Sequence, residues 1–300
     1  MKILNQTLIL LALNLVLTAP ASSQQQGTDL QAEGLQGPVH IVSGHSSEST
    51  SLDGHTAPGP DKKLDSLTFN SGGRLVERVI YDDYGFLVGT EKYAHDVTGN
   101  LIGSELHDPK GVILDKQVFK FQNGTLTESA SFDGQGASGT REVLTYDQSG
   151  RPQKQIYYET GLVIGKTFFK SDDRGNLIEA AFFDAAGAKG MAPIGPCYNA
   201  HRVVYLYDDK RRVTEETAYN LDGSVKRKSS YKYDDHGNVA EELRVDFAST
   251  LKFVHTYEYD RQGNWTRQVI EEYTSRLPLF GSTRDESQVH IVKQRTISYY

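Results

Sequence analysis

One phrase, an aromatic residue followed by Asp, two variable residues and Gly, recurs along most of this chain and limits what it can fold into. It reads YDDYGFL from Tyr81, HDVTGNL from His95, HDPKGVI from His107, FDGQGAS from Phe132 and YDQSGRP from Tyr146. It continues as SDDRGNL from Ser171, FDAAGAK from Phe183, YNLDGSV from Tyr219, YDDHGN from Tyr233 and YDRQGNW from Tyr259. Variant copies begin at Phe69, Phe121, Tyr158 and Tyr207, the last with Arg211 in the glycine slot. A repeat of this period is one supersecondary unit copied in tandem, so it fixes the architecture before any single residue is weighed.

The chemistry of the phrase is that of a tight turn. An Asp side chain accepts hydrogen bonds from backbone N–H groups just downstream, and Gly supplies the positive φ that closes a short hairpin loop. The turn residues are therefore Asp82 with Gly85, Asp96 with Gly99, Asp147 with Gly150, Asp234 with Gly237 and Asp260 with Gly263. Gly175, Gly187 and Gly223 fill the same slot in other copies. The trio Asp234, Asp235 and His236 looks at first like a metal or proton-transfer site. The residue at the His236 position is Tyr84, Arg174 or Lys210 elsewhere, so the trio reads as architecture.

Between turns the residues alternate as in a strand. Val239, Glu241, Leu243, Val245 and Phe247 point one way, and Asn238, Ala240, Glu242, Arg244 and Asp246 the other; the more apolar set is expected to face inward. Glu179, Glu215 and Glu241 recur on that inward set, where a Lys or Arg of a neighbouring strand would meet them. Glycine steps from Gly73 to Gly187 run 12, 14, 12, 13, 12, 14, 11, 14 and 12 residues, so successive turns lie on opposite edges. The expected fold is all-β: an antiparallel up-and-down meander of tandem hairpin repeats, of roughly 14 to 16 strands, forming a curved or coiled sheet.

Tandem Tyr-Asp-x-x-Gly followed by Asn or Arg and Leu resembles the YD repeat of the RHS (rearrangement hot spot) proteins. The stretches YNLDGSVKRKSSYKYDDHGNVAEE and YEYDRQGNWTRQV are similar to small exported bacterial proteins of that type. In large members such repeats form a ribbon that spirals into a shell around a toxin, and they have been linked to carbohydrate binding. This chain has too few turns for a large shell, and its tail lacks the family's Asp-Pro-x-Gly core signature.

The N-terminus has one lysine, an apolar run from Leu8 to Leu17 and the small residues of Ala19-Pro20-Ala21, the pattern of a cleaved secretory signal peptide. The apolar run is shorter than the roughly 20 residues of a membrane span. The expected organisation is a signal peptide over 1–21, a low-complexity segment with a first strand over 22–63, the repeat array over 64–275, and a loop with a closing strand over 276–300. Within the second of these, SLDGHTAPGPDKK reads as a flexible loop. A periplasmic or extracellular monomer follows, with no transmembrane segment once the leader is removed.

The single cysteine, Cys197, excludes an intramolecular disulfide. The formal charge of -7, or -8 once Lys2 leaves, argues against nucleic acid as partner. No cofactor is expected. Calcium at the Asp turns is a weak reading, because each offers only one or two carboxylates. No nucleophile, zinc or phosphate-loop motif is present, so no enzyme is expected. The sequence reading is of an exported, non-catalytic repeat protein, either a binding module or a cell-envelope scaffold. Its partner would be a polysaccharide or another exported protein, and the alternatives are an enzyme acting on polysaccharide or a protein adaptor. Tyr231, Tyr233, Tyr257, Tyr259 and Trp265 are the candidate ligand-binding residues, as aromatic faces suited to stacking.

Overall fold

The structure, a computed structural model, describes residues 28–52, 55–193, 199–276 and 286–300. The expected signal peptide and Cys197 lie outside them. The described residues form two compact units, one of residues 95–103 and 115–228, the other of residues 28–94, 104–114 and 229–300.

In the first unit, β6 (Ile113–Gln122), β7 (Thr125–Asp133), β8 (Ser138–Tyr146) and β9 (Pro152–Glu159) follow one another antiparallel. They continue into β10 (Leu162–Ser171), β11 (Leu177–Asp184), β12 (Arg202–Tyr207) and β13 (Val213–Tyr219). The second unit holds β15 (Val239–Asp246), β16 (Ser249–Tyr259), β17 (Trp265–Arg276) and β18 (Glu286–Tyr299). It also holds β1 (Val39–Leu52), β2 (His55–Phe69), β3 (Leu75–Tyr81) and β4 (Leu87–His95). The remaining strands, β5 (Leu101–His107) and β14 (Val225–Tyr233), are divided between the units, and β4 and β6 each cross the boundary at one end.

Every strand pairs with its neighbours in sequence, and β1 pairs with β18 along twelve positions from Val39↔Tyr299 to Ser51↔Gln288. The strand order is thus that of a closed 18-strand antiparallel β-barrel. This corrects the expected curved or coiled meander. An open ribbon leaves two unpaired edges, whereas joining the first strand to the last satisfies both rows of backbone groups at once. It also corrects the resemblance to RHS repeats, which implied a spiralling ribbon. The stretch read as a loop is largely strand: β2 runs through Gly59 and Pro60 and pairs antiparallel with β1, which lies where a first strand was expected.

The turns explain the repeated phrase atom by atom. The Asp82 Oδ1 accepts the N–H of Tyr84 and of Phe86, both at 2.9 Å, and the Gly85 N–H returns to the Asp82 carbonyl. Asp96, Asp147 and Asp260 accept in the same way, two and four residues downstream. Arg211, in the glycine slot, adopts φ 65°. Its guanidinium donates to Asn176 Oδ1 at 2.8 Å and to the Arg174 carbonyl at 2.9 Å, and these two bonds offset the cost of a left-handed non-glycine residue.

Two tyrosines of the phrase, and Tyr257 just ahead of it, tie their strand to the one before. Tyr146 donates to the Leu126 carbonyl at 2.6 Å, Tyr207 to the Leu177 carbonyl at 2.7 Å, and Tyr257 to the Val239 carbonyl at 2.9 Å. Each accepting carbonyl lies at the start of the preceding strand. Tyr207→Phe is expected to cost about 1 kcal/mol, the net value of one such bond. Urea melts of this variant, and of one carrying Tyr146→Phe as well, should show the two losses adding.

Each unit has its own apolar cluster. In the first, Tyr157, Phe169, Phe182 and Val203 pack with Leu177 and small alanines. In the second, Phe69, Val39, Val42 and Leu75 are covered by Leu30 and Leu35. Those two leucines come from a short N-terminal segment containing α1 (Asp29–Ala32), whose Thr28 and Gln31 form a reciprocal capping box. The Asp29 carboxylate holds this segment to the sheet by accepting the Leu75 N–H at 2.7 Å.

Candidate functional site

The two faces of the sheet carry different chemistry, and this division defines where a site can lie. On the exposed face, carboxylates sit between cations of adjacent strands. Glu128 lies 2.7 Å from Lys120 and 2.6 Å from Arg141, and Glu179 lies 2.6 Å from Lys170 and 3.0 Å from Arg202. Glu241 bridges Lys232 and Lys252 at 2.8 and 3.0 Å, Lys228 meets Glu215 at 2.7 Å, and Arg267 meets Glu258 at 2.9 Å. Hydrogen bonds from Arg141 and Lys120 hold the Glu128 carboxyl down at about 2.

The expected partners of Glu179, Glu215 and Glu241 are therefore present, but on the opposite face from the one expected. Leu243, Val245 and Phe247 share that exposed face, Phe247 being 88% exposed. The alternation along β15 is real, and its inward assignment is reversed. Along β15 it is the set of Leu243 and Val245, with Glu241, that is left to water.

On the buried face the first unit carries a hydrogen-bonded chain across four strands. Gln155 Nε2 donates to Glu142 Oε2 at 2.7 Å, and Ser129 Oγ donates to the same oxygen at 3.4 Å. The Tyr157 hydroxyl donates to Gln155 Oε1 at 3.1 Å and lies 3.0 Å from Thr167 Oγ1. Gln155, Tyr157 and Thr167 are fully buried. Burial pushes the Glu142 carboxyl up to about 7, against the opposing hydrogen bonds from Gln155 and Ser129.

The second unit has a counterpart. Arg78 donates to Asp65 Oδ2 from Nε at 2.7 Å, while the Tyr93 hydroxyl donates to Glu91 Oε2 at 2.7 Å. Burial raises Glu91 and Tyr93, and the neighbouring Glu91 raises Tyr93 further. These groups were not singled out from sequence. The available signal was parity: Glu142 shares a face with Leu144 and Tyr146, and Gln155 shares one with Tyr157.

The candidate aromatic residues fall in the second unit. Tyr257 lies 6.0 Å from Tyr259 and 6.3 Å from Trp265 between ring centroids. Their polar ends serve the fold. Tyr257 accepts from Gln268 Nε2 at 3.0 Å, and Tyr259 donates to Asp234 Oδ2 at 2.6 Å while accepting from Asn238 at 2.8 Å. Tyr299 repeats the Tyr259 arrangement on Asp260 and Asn264. Tyr231 and Tyr233, on β14, are half-buried. His236 stacks on Tyr259 with centroids 3.8 Å apart. Among the described residues no group of three His, Cys, Asp or Glu side chains is placed to hold a metal ion.

The reading as a repeat-type binding or scaffold module is corrected by this geometry. The strand order is a closed one of 18 antiparallel strands and not a curved or coiled repeat sheet. No family model and no curated protein matches the sequence. Among solved structures, the chain is similar to a porin-like protein from Bacteroides uniformis, with 10% identity over 88% of this chain and 98% of that one and a TM-score of 0.43. It is also similar to a DUF1329 family protein from Desulfovibrio piger, with 8% identity over 87% and 86% of the chains and a TM-score of 0.20. A LolA superfamily protein from Nitrosomonas europaea gives 8% identity over 90% of both chains and a TM-score of 0.20. At such scores these likenesses establish no common fold.

Proposed function

We propose that this protein is an exported β-barrel of the bacterial cell envelope that works in water and offers a solute the buried face of its sheet. The leader pattern at the N-terminus supports export. The observation that carries the rest is the distribution of charge. Ion pairs link strand to strand on the exposed face, and the buried face holds Glu, Gln, Tyr, Arg and Lys among aromatic rings.

A barrel spanning a lipid bilayer has the reverse arrangement, an outward apolar band about 25 Å tall, and each Arg or Lys near the midplane costs about 2–4 kcal/mol. Strand length points the same way. β12 has 6 residues and β13 has 7, whereas a strand crossing a membrane needs about 9–11. No helix among the described residues is long and apolar enough to cross a membrane, which has no bearing on strands.

A channel in the outer membrane is the second reading, favoured by the even number of antiparallel strands in a closed order. Fractionation separates the two. Expressed with its own leader in a bacterium that has an outer membrane, the protein should appear in the periplasmic extract and run as a single species without detergent. Retention in the outer-membrane pellet after carbonate washing, with conductance steps in a planar bilayer, would overturn the first reading and establish the second.

A further inference from the structure

We infer that the buried face of β16, β17 and β18 is a binding site for a small oxyanion, a carboxylate or a phosphate, held by Lys293 and Arg295 beside Trp265. The register brings the groups together: Tyr257 stands opposite Gln268, and Gln268 opposite Lys293. On the same face His255, opposite Ile270, lies two residues to one side of this row and Arg295 two residues to the other, so Lys293 stands between them along the strand direction.

Two cations here lack a carboxylate. Among the described residues Lys293 has no hydrogen bond and no ion pair. The Arg295 guanidinium lies 3.5 Å from the centroid of the Trp265 ring and makes no ion pair among those residues. Glu33 is near enough to act on Arg295 through space, and Glu242 on His255, but Glu242 is engaged by Arg244 at 2.6 Å. Burial pulls both cations down, Arg295 to about 10. Two like charges held side by side in a partly desolvated place are costly without an anion.

A third group gives the direction. Gln268 Nε2 donates to His255 Nδ1 at 3.2 Å, so the proton of the neutral imidazole sits on Nε2. That Nε2 is buried and has no hydrogen-bond partner among the described residues. It is a donor awaiting an acceptor, on the same face as two cations. Stacking on Trp265 fixes the plane of the Arg295 fork, and a planar fork suits bidentate recognition of a carboxylate or phosphate. In sequence the signal is HIVKQRTI, in which Lys293 and Arg295 share a parity with Ile291 and Ile297.

The test uses the one tryptophan as its reporter. The full mature chain is titrated with inorganic phosphate and, separately, with acetate, at ionic strength held constant with chloride, while Trp265 emission is followed. A saturable change is expected with at least one of them. Lys293→Met should weaken it at least about tenfold, the loss of one charge-assisted hydrogen bond, and Lys293→Arg should restore most of it. Melting curves establish that both variants are folded. Linear drift with both anions, or a Lys293→Met variant that titrates like the unaltered protein, would overturn the site. Neither outcome depends on whether the barrel works in water or in lipid.

Discussion

Replacing Gly44 by alanine is expected to be among the most damaging single changes in the chain, although it adds one methyl group. A Cβ at this position would lie 2.2 Å from the Gln294 carbonyl oxygen and 3.4 Å from Leu64 Cδ1. The first neighbour is backbone and cannot rotate away. Gly44 pairs with Arg295 in the β1–β18 ladder that closes the strand order, so relief requires those strands to separate where the sheet has no other edge to move. Overpacking usually costs 1–3 kcal/mol, and a clash against a carbonyl belongs at the upper end, about 3 kcal/mol. For a chain of this size that is a fall of about 6–12 °C in melting temperature. Thr296→Ala, on the exposed face of the same ladder, is the control and should be within about 0.5 kcal/mol of the unaltered protein. A Gly44→Ala protein that melts with the control would mean that β1 and β18 are not held together as the register requires.

The second large effect is a pH dependence. Burial raises the Glu142 carboxyl to about 7 in the folded chain, against 4.5 for the free side chain. The folded state therefore holds a proton that the unfolded state has released between those values. Stability associated with this group is fully present below about pH 4.5 and is lost as pH rises through about 7. The loss is about 3 kcal/mol once both states are ionised. Glu142→Gln keeps the shape and still offers an oxygen to Gln155, but cannot ionise. Urea denaturation should give near-equal stabilities for the two proteins at pH 4.5, and the variant should be more stable by about 3 kcal/mol at pH 8.5. A difference that stays constant across this range would show that Glu142 is ionised in the fold throughout.

Both effects arise where tertiary structure departs from a one-dimensional reading. The turn grammar was legible because it is local: an Asp that accepts N–H groups two and four residues on, and a Gly at positive φ, require only neighbours in sequence. Arg211 shows the limit of that grammar. It holds the glycine slot because Asn176 and the Arg174 carbonyl, in the turn after β10, receive its guanidinium.

The candidate aromatics were legible in part. Tyr257, Tyr259 and Trp265 do come together, but the hydrogen bonds that occupy Tyr257 and Tyr259 involve Gln268 and Val239 on other strands and Asp234 in the turn after β14. Lys293 and Arg295 share β18, and His255, far from them in sequence, reaches their face only through the register of β16, β17 and β18.

The sequence by itself determined an antiparallel chain of hairpins, the place of most turns and the period of the strands, because each depends on contacts a few residues apart. It also determined the alternation along β15. Which side of that alternation faces water was decided by tertiary structure, since a period of two names two faces without ranking them. The pairing of Val39 with Tyr299 was decided there too. Two edges 260 residues apart in sequence find each other because unpaired backbone groups are costly to leave unmatched, and nothing in either strand alone records that they will meet.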